Sequence, residues 1–267
     1  MPEFDHPTPV TVSLRLQRGS AEVVAEERDT VRVDVTAPDG TDAAGQFTIA
    51  LDGDTLAVHA PDAGGWAWRR TAKVHVAVRV PLDSTIAAKS AAADLRLAGR
   101  YTTVQAMLAS ADVHLDQVTG DVQLKSASGD VTVDRVGGSL RMNSASGDLR
   151  AGDVTRDVSA GTASGDITVR RVGGSIHAQS ASGDVEIGTI SQGRADLRSM
   201  SGDVSVGVSP GTGVWLDLNT ASGSTSSDLS MGDAPAEGRA AATLELRVRT
   251  ASGDIDVHRA LGLSAAA

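Results

Sequence analysis

The chain has no cysteine, so disulfides, thiolate nucleophiles and cysteine-held zinc are all excluded. Aromatic residues make up only 2% of it, against 40% hydrophobic residues in all. A core must therefore be assembled from Val, Leu, Ile and Ala, side chains that suit stacked strands. No stretch approaches the roughly 18 consecutive apolar residues of a membrane span. The opening MPEFDHPTPVTVSL has no basic segment followed by a continuous apolar run, so a cytoplasmic location is expected. Basic residues are in deficit: 24 Lys and Arg face 34 Asp and Glu, a formal net charge of −10. Such a surface repels phosphate backbones at long range, which argues against nucleic acid and leaves protein partners.

What is present instead is one phrase that keeps returning. S-A-S-G-D stands at 126–130, 144–148 and 180–184, and close variants stand at 162–166 and 199–203. A catalytic motif needs to occur once, whereas a structural module is copied as often as the architecture requires. Taking Asp94, Asp112, Asp130, Asp148, Asp166, Asp184 and Asp203 as equivalent positions, the spacing is 18 residues throughout, with 19 at the last step. A fixed short period signals a quasi-one-dimensional fold in which each unit buries its apolar face against its neighbours.

Each period also divides in two. A second turn phrase sits about nine residues after the first, at VTGDV (118–122), VGGSL (136–140), VTRDV (154–158) and VGGSI (172–176). Between turns the residues alternate at period 2: Val131 and Val133 point one way, Thr132 and Asp134 the other. Stacking the periods aligns Leu95, Val113, Val131, Leu149, Ile167, Val185 and Val204 in one apolar column and Val104, Val122, Leu140, Val158 and Ile176 in another. The expected fold is all-β, a two-sided parallel β-solenoid with 18 residues per coil. Its coils should rise by about 4.8 Å each, and its crossovers should be right-handed.

In this reading Gly129, Gly147, Gly165, Gly183 and Gly202 supply turn conformations that other residues avoid. Asp130, Asp148, Asp166, Asp184 and Asp203 accept backbone N–H groups of their own turns, and the serines hydrogen-bond along the stack. Exposed solenoid ends recruit other chains unless covered, so antiparallel β caps are expected at both ends. The chain then divides into an N-terminal cap segment (1–82), the repeats (83–209), a C-terminal cap (210–260) with a mobile loop at 230–242, and a tail (261–267), all in one continuous domain. Alternating runs at 11–16, 30–35, 46–60 and 73–80 read as antiparallel cap strands, with a hairpin turn at Asp52-Gly53.

The order of segments carries a resemblance. An N-terminal run VTVSLRLQRGSAEVVAEERDTVRVDV, a V-x-V-x-V-P strand (76–81), several S-G-D-V coils and a closing GVWLDLNTASGS…LELRVRTASGDIDV together resemble the bacterial β-strand-repeat family named for adhesins, also called toastrack-type domains of unknown function, in its actinobacterial cytoplasmic form. The resemblance implies a β-solenoid-like fold, no catalytic residues, and in some relatives an association with cell-envelope stress modules.

Seven carboxylates in a column about 4.8 Å apart repel by ~0.9 kcal/mol per neighbouring pair even in water. Turn N–H groups and solvent offset that cost in one reading; in the other, Ca²⁺ sits between turns and the protein is a calcium-stiffened surface adhesin. Asp follows Gly directly here, so the Gly-x-Asp spacing of calcium-binding nonapeptide repeats is absent. The six histidines show no metal-ligand spacing, and there is no nucleophile elbow, phosphate loop or dinucleotide fingerprint. No cofactor and no enzyme activity are expected. The one gathering of aromatic and basic residues, Trp66, Trp68, Arg69 and Arg70, is the candidate partner-binding patch.

Overall fold

The structure, a computed structural model, describes residues 2–61, 73–229 and 243–260. It forms two compact units, Met1–Gly138 and Ser139–Ala267. Both are all-β, apart from one turn of 3-10 helix at Ala44–Gln46.

The N-terminal unit contains β1 (Glu3–Asp5), β2 (Thr11–Glu26), β3 (Thr30–Thr36), β4 (Thr48–Asp52), β5 (Thr55–His59), β6 (Val74–Pro81), β7 (Ser84–Ser110), β8 (Val113–Val118), β9 (Val122–Ser128) and β10 (Val131–Val136). The long strands β2 and β7 pass through one corner and two corners respectively, and so each belongs to two sheets. The first half of β2 pairs with β5 and β7, Thr11 lying opposite Thr55 and Thr85. Its second half, beyond Gly19, pairs with β6 and the next stretch of β7, Gly19 lying opposite Val74 and Ala93. Gly19 has φ +123°, and a Cβ there would fall 1.9 Å from the Val74 carbonyl oxygen. Only glycine lets the chain change sheets at that point.

The β4–β5 hairpin forms at Asp52-Gly53 as the sequence indicated, and β1–β3 and β3–β6 are antiparallel. Strand β2, expected to be antiparallel, runs parallel to β5, β6 and β7. Its alternation fits either direction, and direction is set by the chain returning through a corner rather than a hairpin.

The C-terminal unit contains β11 (Leu140–Ser146), β12 (Leu149–Val154), β13 (Val158–Ser164), β14 (Ile167–Val172), β15 (Ile176–Ser182), β16 (Val185–Ile190), β17 (Gly193–Ser201), β18 (Val204–Val208), β19 (Val214–Ser222), β20 (Thr225–Ser227), β21 (Leu244–Ser252) and β22 (Ile255–Arg259). Strands two apart in sequence pair in parallel: β12 with β14 (Leu149 opposite Ile167) and β13 with β15 (Val158 opposite Ile176). The period of 18 is thus the strand register. The one 19-residue step is absorbed at the corner before Ala195, which lies opposite Ile176.

At the C-terminal end the pairing is parallel where antiparallel strands were expected. The stacking order also leaves the sequence order: β21 lies between β17 and β19, and β22 between β18 and β20. The last coil of the chain is therefore inserted beneath the coil that precedes it. Its apolar positions explain the choice. Leu244, Leu246, Val248, Ile255 and Val257 are fully buried, whereas Val214, Leu216 and Leu218 of β19 are half-buried. The more aliphatic coil takes the inner place, and the coil ending in Thr-Ser-Ser takes the outer one.

Within both units the inward columns form a thin aliphatic core. Val131 and Val133 are 1% exposed and Ile167 and Val169 are 0% exposed. Tyr101 is the large exception. Its buried hydroxyl donates to the Val23 carbonyl at 2.7 Å, and burial pushes its pKa well above the ordinary tyrosine value.

Candidate functional site

The repeated corner is built from a glycine and an aspartate with separate tasks. In the C-terminal unit Gly165 and Gly183 have φ of +135° and +143°. A Cβ on them would lie 2.3 Å from the Gly147 carbonyl oxygen and 2.1 Å from that of Gly165. Each glycine thus meets two demands, a left-handed backbone and the close approach of the neighbouring coil.

The aspartate that follows reaches across the stack. Asp148 Oδ1 accepts the N–H of Asp166 at 2.9 Å, Asp166 that of Asp184 at 2.9 Å, and Asp184 that of Asp203 at 2.8 Å. In the N-terminal unit Asp94 accepts from Asp112 at 3.1 Å and Asp112 from Asp130 at 2.9 Å. The donor is the amide of the next coil's aspartate, not an amide of the same turn as the sequence reading held. Each carboxylate is thereby drawn toward a backbone donor, which offsets part of the repulsion along the row.

The ladder runs on beyond Asp203, which the period alone did not show. Asp203 accepts the N–H of Asp254 at 2.8 Å, and Asp254 accepts that of Ser224 at 2.7 Å. The Ser224 backbone N–H, then its hydroxyl, hold the Asp254 carboxyl below the ordinary aspartate range. The signal was available in T-A-S-G-D at 250–254 and T-A-S-G-S at 220–224. Just beyond, Asp256 is also lowered, first by the Ser226 hydroxyl.

A column of hydroxyls backs the carboxylates. Thr162, Ser180, Ser199 and Thr250 are buried. Ser180 donates to the Gly165 carbonyl at 3.3 Å and Ser199 to that of Gly183 at 3.2 Å. At the other corner Asp157 Oδ1 accepts the Ser175 N–H at 2.8 Å, and the Ser175 hydroxyl accepts the Arg194 N–H at 3.2 Å. Aspartate and serine alternate there, which spaces the charges twice as far apart.

Among the described residues, the group placed to hold a metal ion is His114, Asp116 and Asp134, whose ligand atoms lie within 4.8 Å of one another. Asp116 is oriented by the Gly99 N–H at 3.0 Å. One imidazole and two carboxylates suit a borderline transition metal better than calcium, and the ladder aspartates do not join this group. Trp66, Trp68, Arg69 and Arg70 lie outside the described residues. A cation–aromatic pair that the sequence did not announce stands on β19 and β21: Arg247 lies 5.5 Å from the ring centre of Trp215, which is 48% exposed.

Parallel coils joined by side-chain ladders at both corners define a β-solenoid-like protein. The chain belongs to the toastrack family DUF4097, which matches residues 12–258. Its fold is similar to a crystal structure from Bacteroides fragilis provisionally named an adhesin, at 12% identity and a TM-score of 0.50, covering 96% of this chain and 95% of that one. A second, from Parabacteroides distasonis and provisionally named a lipid-binding protein, is 15% identical with a TM-score of 0.48, covering 96% and 95%. At such identities the likeness is one of fold. Among curated proteins no sequence matches the chain. No helix among the described residues is long and apolar enough to cross a membrane.

Proposed function

We propose that this chain is a non-catalytic scaffold, an interaction module of the cytoplasm that presents rigid rows of side chains to a protein partner and serves cell-envelope stress sensing. The observation that supports this reading is the ladder. The most repeated chemistry-bearing group of the chain, the S-G-D carboxylate, is engaged by the next coil's amide and so works in stacking. The link to envelope stress rests on the family resemblance. Trp66, Trp68, Arg69 and Arg70 are proposed, on sequence alone, as partner-facing.

The test compares affinity capture from native host cells with three baits: wild type, Asp148→Asn/Asp166→Asn/Asp184→Asn, and Trp66→Ala/Trp68→Ala. The expected result is the same captured protein for wild type and the ladder variant, and its loss for the tryptophan variant. Loss of the partner from a folded ladder variant overturns the structural role given to the aspartates.

A further inference from the structure

The two sheets of the N-terminal unit carry opposite charge on their outer faces. On one, Arg15 of β2 lies opposite Lys89 of β7, and Met107 of β7 opposite Lys125 of β9. Lys89 and Met107 line the same hollow as Arg15 and Lys125, so the four form one row across successive strands. All are exposed, Met107 by 52%. The row separates two shallow, alanine-floored hollows of about 240 and 340 Å³.

These cations are alone in a chain rich in acids. Arg28, Arg79, Arg96 and Arg100 of the same unit each sit within 4.0 Å of a carboxylate oxygen. Arg15, Lys89 and Lys125 have no carboxylate partner among the described residues. Like charges directly opposite on neighbouring strands are destabilising, and no carboxylate among the described residues offsets that cost.

The other sheet supplies the complement. Asp94, Asp112 and Asp130, all exposed, line a groove of about 490 Å³ in which Glu22 is paired with Arg96 at 3.7 Å and the other basic side chains are His75 and His114. Both rows advance one strand at a time, by about 4.8 Å per step; in the cation row Met107 takes the place of one charge between Lys89 and Lys125. Arg15 and Lys89 stand one step apart, as do Asp94 and Asp112.

We propose that the acidic groove of one copy receives the cation row of a second copy. The contact is heterologous, since each copy offers a different face, and it can therefore propagate into rings or rows. It goes beyond the scaffold reading and stands on the charge distribution alone. An anionic lipid surface fits the row less well, because polybasic attraction uses clusters of about four to eight cations.

The test is sedimentation velocity over a concentration series at about 0.1 M and about 1 M salt, where the screening length falls from about 10 Å to 3 Å. The expected result is a mass rising above the 27.2 kDa of one chain with concentration, and returning to it at high salt. Arg15→Glu/Lys89→Glu/Lys125→Glu should melt like wild type and stay single by itself. It keeps the acidic groove, so in mixtures it should bind wild type and end its growth. A wild type that remains single at every concentration overturns the proposal, as does a triple variant that assembles normally or assembly that strengthens with salt. Single wild-type chains that float with phosphatidylglycerol vesicles, and lose this through the same three substitutions, assign the row to lipid and overturn it equally. Neither failure touches the scaffold reading.

Discussion

At the residue scale, glycine and aspartate of the repeated corner differ in how far they can be replaced. Gly165 combines φ +135° with a carbonyl oxygen 2.3 Å from where a Cβ would stand. Gly165→Val should therefore cost at least about 1–3 kcal/mol from backbone strain, measured by chemical denaturation. Asp148→Asn keeps the Oδ1 acceptor for the Asp166 amide and removes one charge from the row. It gives up a surface ion pair of Oδ2 with Arg150 at 2.7 Å, of the kind that contributes about 0–1 kcal/mol. Its melting temperature should therefore stay level or rise slightly. Tyr101→Phe removes the donor to the buried Val23 carbonyl and should cost about 1–2 kcal/mol. The Asp254 and Asp256 carboxyls are lowered in the folded state. Their stabilisation is thus present above the ordinary aspartate pKa of about 3.9 and is lost as pH falls below it, through the folded values. The difference in melting temperature between wild type and Asp254→Asn should accordingly shrink as pH drops below about 4.

At the element scale, stability rests on the inward columns. Val133 is 1% exposed between two sheets. Val133→Asp places an unpaired charge there at a cost of several kcal/mol, against a total stability of about 5–15 kcal/mol, so circular dichroism should show no folded protein. These columns were legible in the sequence because period 2 within a strand and period 18 between strands both follow from backbone geometry. Direction and stacking order were not. Alternation in 11–16 suits either strand direction; β2 is parallel to β7 on both sides of Gly19, whose positive φ lets the strand pass from one sheet to the other. Nor does a repeat say which coil lies on which: the coil of β21 and β22 takes the inner place from that of β19 and β20, since Ile255 and Val257 stand where the other coil has Thr225 and Ser227. The acceptor role of the corner aspartates was legible, whereas their donors on the next coil depend on a three-dimensional register. The His114, Asp116 and Asp134 group also escaped the sequence, since its third member comes from a neighbouring strand.

At the scale of the whole molecule, the account claims that the repeated aspartates join coil to coil through backbone amides and hold no metal. A net charge of −10 then reflects a stacking device copied many times, with the family fold as its product. The measurement that tests this most directly is calorimetric titration with Ca²⁺, paired with thermal melts, on wild type and on Asp148→Asn/Asp166→Asn/Asp184→Asn. Any heat from His114, Asp116 and Asp134 is common to both proteins and cancels in the comparison. The account predicts the same heats for both at low millimolar Ca²⁺ and melting temperatures that Ca²⁺ or a chelator changes no more in wild type than in the variant. A saturable heat and a rise in melting temperature that wild type shows, the variant lacks and a chelator abolishes would contradict it, and would make the ladder a calcium site.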